Sequence, residues 1–482
     1  MENFSYPVNN DLFSGQYQIE QGPVYDTESA TPRKGRLIRL FVGVVSIIFG
    51  IIAFTTDVSI GYYPLKIGVL ACILPLLFQK VNYPFLLGLM IPIYFEFKPS
   101  QFGTQDTSYM VEFAFIIITL MAARVFLSRS TTRSDTIKGY SVEMLLLIGI
   151  LLFALFGAFI IVNKYLYVRR IIQIVGYISA FYLGRTCLQY HSTIKLLLTG
   201  LSLGIIGFIL PWPLYFVAQN GIGVLGTLGR YRGELGAVSV AIESGIVIVA
   251  FGFAFSISVT QISQKTKNFA LWFVVVPSTM VVLLYLSRAA IVLLPASVAL
   301  TLFFAGRRRA AIGTLLISLV LFLIGLQFFS TIGTSIMARM QEIGTAASIR
   351  KNIYDIGLRL GFDNFLLGVG AGQFRFHAEG WFHSHNDEIT IFAEHGFLSS
   401  LFYLIFMLII FIKTLQLRFS HIPIARNFAG SFLVVMACYF IYAQIEPMYF
   451  NRGGMLFTFL AGILSRLYSE NQQMAINAYQ NI

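Results

Sequence analysis

Residues 269–306 read FALWFVVVPSTMVVLLYLSRAAIVLLPASVALTLFFAG. As one helix, at about 1.5 Å per residue, the stretch would be close to twice the roughly 30 Å of bilayer hydrocarbon. It must fold back. The polar break is Ser287-Arg288, so a tight hairpin is expected there, between spans at 269–286 and 289–306. The composition agrees with a chain that turns between consecutive apolar helices. Of 482 residues, 57% are hydrophobic and 12% charged, with 46 Phe. An average soluble protein has about 25% charged residues. Half that charge does not wet a globular surface, which excludes a soluble enzyme. The apolar runs are long and continuous, unlike the ten-residue alternations of a spanning β-barrel. The expected fold is an all-α polytopic membrane protein, whose backbone polar groups are satisfied inside helices.

Further apolar runs lie near 37–55, 59–78, 82–96, 109–127, 143–162, 171–190, 195–218, 236–261, 311–329, 388–412, 427–447 and 453–467. Together they give about fourteen transmembrane helices. With the N-terminus inside, the short cytoplasmic connections are basic, as at Arg124, Arg129, Arg133 and Lys138, and at Arg307, Arg308 and Arg309. This is the positive-inside pattern. It accounts for the net charge of +12 without nucleic acid as a partner. Cys72, Cys187 and Cys438 are odd in number and widely spaced, so no disulfide framework or CxxC metal pair is present. Residues 1–36 are expected to be a disordered cytoplasmic tail. The tail is polar, with no basic residue before Arg33, and so is unlike a signal peptide. Spans 1–11 then occupy 37–329, an external loop 330–387, spans 12–14 388–468, and a cytoplasmic C-terminal tail 469–482.

The external loop carries most of the polar chemistry. Thr345 to Leu360 reads as a short amphipathic helix with Ile349, Ile353, Ile356 and Leu360 on one face. Arg350, Lys351 and Arg359 decorate the rest, and Gly361 reads as its stop. Such a helix is expected in the membrane interface, apolar face down. Gly368-Val369-Gly370-Ala371-Gly372 follows, then His383-Ser384-His385-Asn386-Asp387, and the apolar helix resumes at Glu388. Four of the 6 histidines, His377, His383, His385 and His395, cluster here. Histidine is the side chain poised near neutrality without tuning, hence a favoured general base. On the residues alone, His385 also reads as a loop residue, with Ser384 or Asn386 capping the next helix. A zinc site from His383, His385 and Asp387 is chemically valid, but H-x-H in a loop is unspecific, and no metal is expected. Arg288, at the hairpin tip, reads either as a snorkelling interface arginine or as a planar fork for phosphate oxygens. Arg230 and Arg232, in GTLGRYRGELG, suit an anionic lipid headgroup or a diphosphate, as do Arg169 and Arg170 with Lys164. Glu394, Glu243 and Lys66 fall inside spans, where ionisable groups face the bundle interior. The acids there either orient Arg288 or Arg232, or hold helices together.

The string His385-Asn386, nine residues, Gly396, three residues, Ser400 resembles the signature of the bacterial O-antigen ligase and O-antigen polymerase family. That signature is His, then Asn, Ser or Gln, nine residues, Gly, three residues, then Gly, Thr or Tyr. Ser400 departs at the last place but is still small. Asn364 to Phe374, NFLLGVGAGQF, resembles the family's NPLxGxGxGxF run, with Phe365 where proline is usual. Ser287-Arg288 resembles its "SR" at a helix end, and Arg232-Gly233, more loosely, its RxxG-type element. The resemblance covers about residues 225–412. It implies a GT-C-like fold and transfer of glycans carried on undecaprenyl diphosphate, at the periplasmic face of the bacterial inner membrane. No cofactor, nucleotide sugar or metal is implied. His385 would be the base that activates the acceptor hydroxyl. Arg288 and Arg232 would hold the departing diphosphate, with Arg230 and Arg350 counted beside them and Asn386, Glu394, His383 and Gly396 in support. The expected partners are the lipid-linked glycan, an acceptor glycan or lipid A core, the bilayer and a chain-length regulator. A polymerase extends another lipid-linked repeat and a ligase loads lipid A core. The span count and long tail lean towards the polymerase, and a protein O-oligosaccharyltransferase is a further option. The rival class is a lipid-linked oligosaccharide flippase or other polysaccharide transporter. Such a protein gathers polar groups near the midplane on broken helices, where charge is sparse in this chain.

Overall fold

The computed structural model describes residues 110–130, 141–186, 190–210, 240–260, 263–285, 288–328, 348–378, 383–445, 448–449 and 452–480, with single positions at 84, 214, 217 and 381. All belong to one compact unit within 76–482. The tail 1–36, the spans expected at 37–55, 59–78 and 82–96, Lys66, Arg230 and Arg232 lie outside the described residues. So do the side chains of Glu243 and Arg288.

Among the described residues every regular element is a helix. In chain order these are α1 Met110–Ser130, α2 Val142–Phe156 with a tight turn Gly157–Ile160, α3 Lys164–Arg185, α4 Tyr190–Gly204, α5 Val240–Thr260, α6 264–285, α7 Arg288–Phe304, α8 Arg308–Phe328, α9 348–363, α10 Phe374–His377, α11 Asp387–Arg418, α12 Pro423–Ala443 and α13 Arg452–Gln480. Their ends follow local rules. Ser141 and Asn163 each cap the helix that follows, accepting from Met144 N at 3.3 Å and Leu166 N at 3.0 Å. Pro423 opens α12, where its missing N–H costs nothing. Within α6 the turn Leu271–Val275 widens to i→i+5 bonding just before Pro277, which cannot donate to the preceding turn.

Among the described residues, four helical segments are long and apolar enough to cross a bilayer: Val142–Ile160, Gln264–Leu284, Asp387–Arg418 and Pro423–Ala443. The outward side of α8 exposes Leu315, Leu316, Leu319 and Leu323, a patch that suits lipid rather than water. α6 ends at 285 and α7 begins at Arg288; residues 286–287, at the expected hairpin, lie outside the described residues.

At the centre, α13 lies on α3 with backbone against backbone. A Cβ at Gly184 would stand 2.0 Å from the Phe459 carbonyl oxygen, and one at Gly462 2.2 Å from that of Phe181. Small residues allow this approach where lipid supplies no hydrophobic drive. α11 packs on α2, α12 and α13, while α12 joins α13 to the α5–α7 group. At the far end of α11, Lys413 Nζ binds the fully buried Glu143 of α2. Glu143 also accepts from Ser465 of α13 at 3.0 Å, and Arg185 of α3 donates to Ser465 at 2.6 Å. One carboxylate thus ties four helices.

Three expectations are corrected. α3 begins at Lys164, so Lys164, Arg169 and Arg170 stand in its first two turns rather than in a loop before residue 171. The apolar face of the loop helix, α9, does not face outward: Ile353 is buried with Phe374, Ala378 and Ala393, and Ile356 and Leu360 pack beside them. Protein covers most of that face, and only Ile349 stays exposed. Gly361 does not stop α9, which runs on to 363. It makes room instead, because a Cβ there would meet the Phe392 ring at 2.4 Å, and one at Gly357 would meet Ile389 at 2.6 Å. α13 continues as one helix to Gln480.

Candidate functional site

His385 sits at the head of α11 with φ +59°; among the described residues it is the one non-glycine with positive φ. A left-handed backbone costs an L-residue roughly 1–2 kcal/mol, so the surroundings must hold it. They do so from both sides. Ser384 Oγ donates to the Asn386 carbonyl at 2.8 Å and meets Thr390 Oγ1 at 2.7 Å. Asn386 caps α11, accepting from Ile389 N at 2.9 Å. Its amide nitrogen donates to Gln444 Oε1 at 2.7 Å. Asp387 is fully buried and accepts from Tyr449 N at 3.0 and 2.9 Å and from Tyr439 OH at 3.2 Å. Burial holds the Tyr449 phenol well above its usual range, so it stays protonated. Tyr354 of α9 donates to the Gln444 carbonyl at 2.7 Å and lies 3.4 Å from the His385 carbonyl.

The His383 and His385 rings meet edge to face, with centroids 4.6 Å apart. Asp387, weighed above as a zinc ligand beside them, turns both oxygens towards Tyr439 and Tyr449 instead. Among the described residues no three His, Cys, Asp or Glu side chains gather as a metal site.

Nine residues after Asp387, α11 breaks. Gly396 has φ +79° and ψ −177°, outside helical geometry. The break frees carbonyls and amides that a straight helix would pair, and the glycine run takes them up. Val369 N donates to the Ala393 carbonyl at 2.8 Å, Gly370 N to that of Glu394 at 3.1 Å, and Phe397 N to that of Phe365 at 2.8 Å. Ser400 Oγ donates to the Gly396 carbonyl at 3.1 Å, so a small polar residue at that place has a use. A Cβ at Gly396 would stand 2.2 Å from the Leu366 carbonyl oxygen. The glycine run is therefore a strap docked into a broken helix rather than a plain turn.

Glu394 secures the strap. Its carboxylate accepts from Gly372 N at 2.9 Å and pairs with Arg170 Nε at 3.1 Å. Of the two readings given above, these contacts are of the kind that holds segments together; Arg232 and the Arg288 side chain lie outside the described residues. Arg170 also donates to Gln173 at 3.0 Å. The buried Gln373 amide clips the strap to the start of α3, accepting from Val162 N at 3.0 Å and Asn163 N at 2.7 Å. Sequence reasoning gave Arg170 little weight and missed Gln373, Gln444, Tyr354 and Tyr439.

The helix directions place Arg288. Arg418, at the far end of α11, donates to the carbonyl of Phe304, the last residue of α7. Midway, Gly252 of α5 lies beside Ser297 of α7 and Cys438 of α12. α7 thus runs alongside α11 in the same sense, and its first residue, Arg288, lies at the end that holds His385. Arg350 is in α9, four residues before Tyr354 and so on the same face.

Fold and site together define an all-helical, multi-pass membrane protein with a polar constellation at one end of its bundle. The family model for O-antigen ligase matches residues 272–404, from within α6 to within α11, so this segment is similar to that family. It holds Arg288, the glycine strap, His385 and the Gly396 break. Proteins of that family act in membrane polysaccharide biosynthesis by glycosyl transfer, and the match supports a role of that kind. No curated protein matches the chain.

Proposed function

We propose that the protein transfers or polymerises undecaprenyl-diphosphate-linked oligosaccharide at the outer face of the bacterial inner membrane, without a metal. The observation that carries this reading is His385, held in a left-handed turn inside the segment that matches O-antigen ligase. Strained, over-determined backbone of this kind concentrates at active sites. His385 accepts the proton of the acceptor hydroxyl as that oxygen attacks the anomeric carbon. The bond from that carbon to the diphosphate breaks, and negative charge grows on the leaving oxygens. Arg288, at the same end of the bundle, meets that charge with a planar pair of donors. Arg232 and Arg230 are assigned to the same diphosphate, as is Arg350 on the face of α9 that carries Tyr354. Asn386 and Gly396 hold the turn and the break. A lipid-borne substrate reaches this end sideways from the bilayer.

Deletion of the gene, followed by gel analysis of surface glycan chain length, tests the reading. Single repeats on the core identify a polymerase, the form favoured here, and long chains left on the lipid carrier identify a ligase. Unprocessed repeats trapped on the inner leaflet would overturn transfer in favour of a flippase. Arg288→Ala is expected to abolish chain extension at normal protein levels; full extension would remove the arginine from the mechanism.

A further inference from the structure

Gln444 is the residue at which α12 ends, and it lies outside the matched segment 272–404. A residue that closes a helix ordinarily turns its polar atoms on the last carbonyls. Gln444 does not. Its amide oxygen accepts from Asn386 at 2.7 Å, and its amide nitrogen donates to the two oxygens of Glu388 at 3.2 and 3.1 Å. Its main-chain carbonyl accepts from Tyr354, whose hydroxyl also reaches the His385 carbonyl. Every bond of the side chain, and the one from Tyr354, thus leads to residues 385–388 or to the helix packed over them. The turn they surround has a backbone that an L-residue disfavours.

We propose that Gln444 is a positioning residue of the transfer reaction. By binding Asn386 and Glu388 together, it fixes the 385–388 turn and so the placement of the His385 imidazole. This rests on the reading of His385 as the base. Both oxygens of the half-buried Glu388 carboxylate are engaged by one amide, which also keeps it from folding back over the histidine. Removal of Gln444 frees an amide, a carboxylate and a strained turn at once, although Gln444 itself does not touch the reacting atoms.

The test uses the full chain purified in detergent, supplied with undecaprenyl-diphosphate-linked glycan extracted from the host's own membranes. Gln444→Leu is expected to lower kcat about 30-fold, within the range for lost supporting hydrogen bonds, while KM moves less than about threefold. Gln444→Glu sets a carboxylate against Glu388 and is expected to do the same. Adding Glu388→Gln to Gln444→Glu restores the amide–carboxylate pair with its ends exchanged, and is expected to recover about tenfold in kcat. A purely structural role predicts loss through folded yield alone, with no recovery in the exchanged pair. That result, or normal kcat in Gln444→Leu, overturns the proposal. If Gln444→Leu fails to accumulate, the exchanged pair decides by the same criterion. His385→Ala is assayed in parallel. Full activity there defeats the reading of His385 itself, whereas an inactive His385→Ala beside a normal Gln444→Leu defeats only this inference.

Discussion

The two ends of α11 solve the same problem in opposite ways. At its far end, Lys413 extends from regular helix to Glu143, and the pair with Ser465 and Arg185 locks four helices together. At its head, the helix is broken at Gly396, a glycine strap fills the break, and His385 stands in a backbone conformation that most residues avoid. Both ends bury polar groups. One uses them to hold helices in their lowest-energy form, and the other to hold a turn away from it. Stability is therefore expected to respond most at the far end, and activity most at the head.

His385→Ala should break this comparison most sharply. Glycan transfer is expected to fall about 10³-fold, with an unchanged melting temperature in detergent; a parallel loss of melting temperature would make the residue structural. Lys413→Ala is the converse. It leaves Glu143 buried and unpaired, an expected destabilisation of about 3 kcal/mol, seen as a lower melting temperature at normal activity per folded molecule. Gly396→Ala should move both readouts. A positive φ and a Cβ 2.2 Å from a carbonyl oxygen predict about 2 kcal/mol, with transfer reduced because the strap can no longer seat. Glu394→Gln is the mildest. It keeps a hydrogen bond to Gly372 but loses the charge on Arg170, for about 1 kcal/mol of stability, measurable by the same melt.

Sequence reading reached what is local and periodic. The 240–260 helix and the start of the helix after His385 both follow from apolar runs and their interruptions. The motif at His385 and Gly396 was visible as spacing, but spacing does not say that the glycine breaks a helix. The pairings that hold the site were hidden for a different reason. Arg170 and Glu394 are 224 residues apart, and Asn386 and Gln444 58 apart. Neither pair leaves a periodic trace. Arg170 also lay just before the apolar run at 171, so hydropathy put it outside the helix that presents it. The face of α9 misled because amphipathicity reports that a surface is covered, not whether lipid or protein covers it.

The left-handed turn at 385 carries a consequence for protein engineering. Glycine, and after it asparagine, would sit there more comfortably than histidine. A redesign ranked by thermal robustness alone would exchange the imidazole early and register the change as an improvement. Sequence optimisation of this chain therefore needs position 385 held fixed, or it will select well-folded, silent protein.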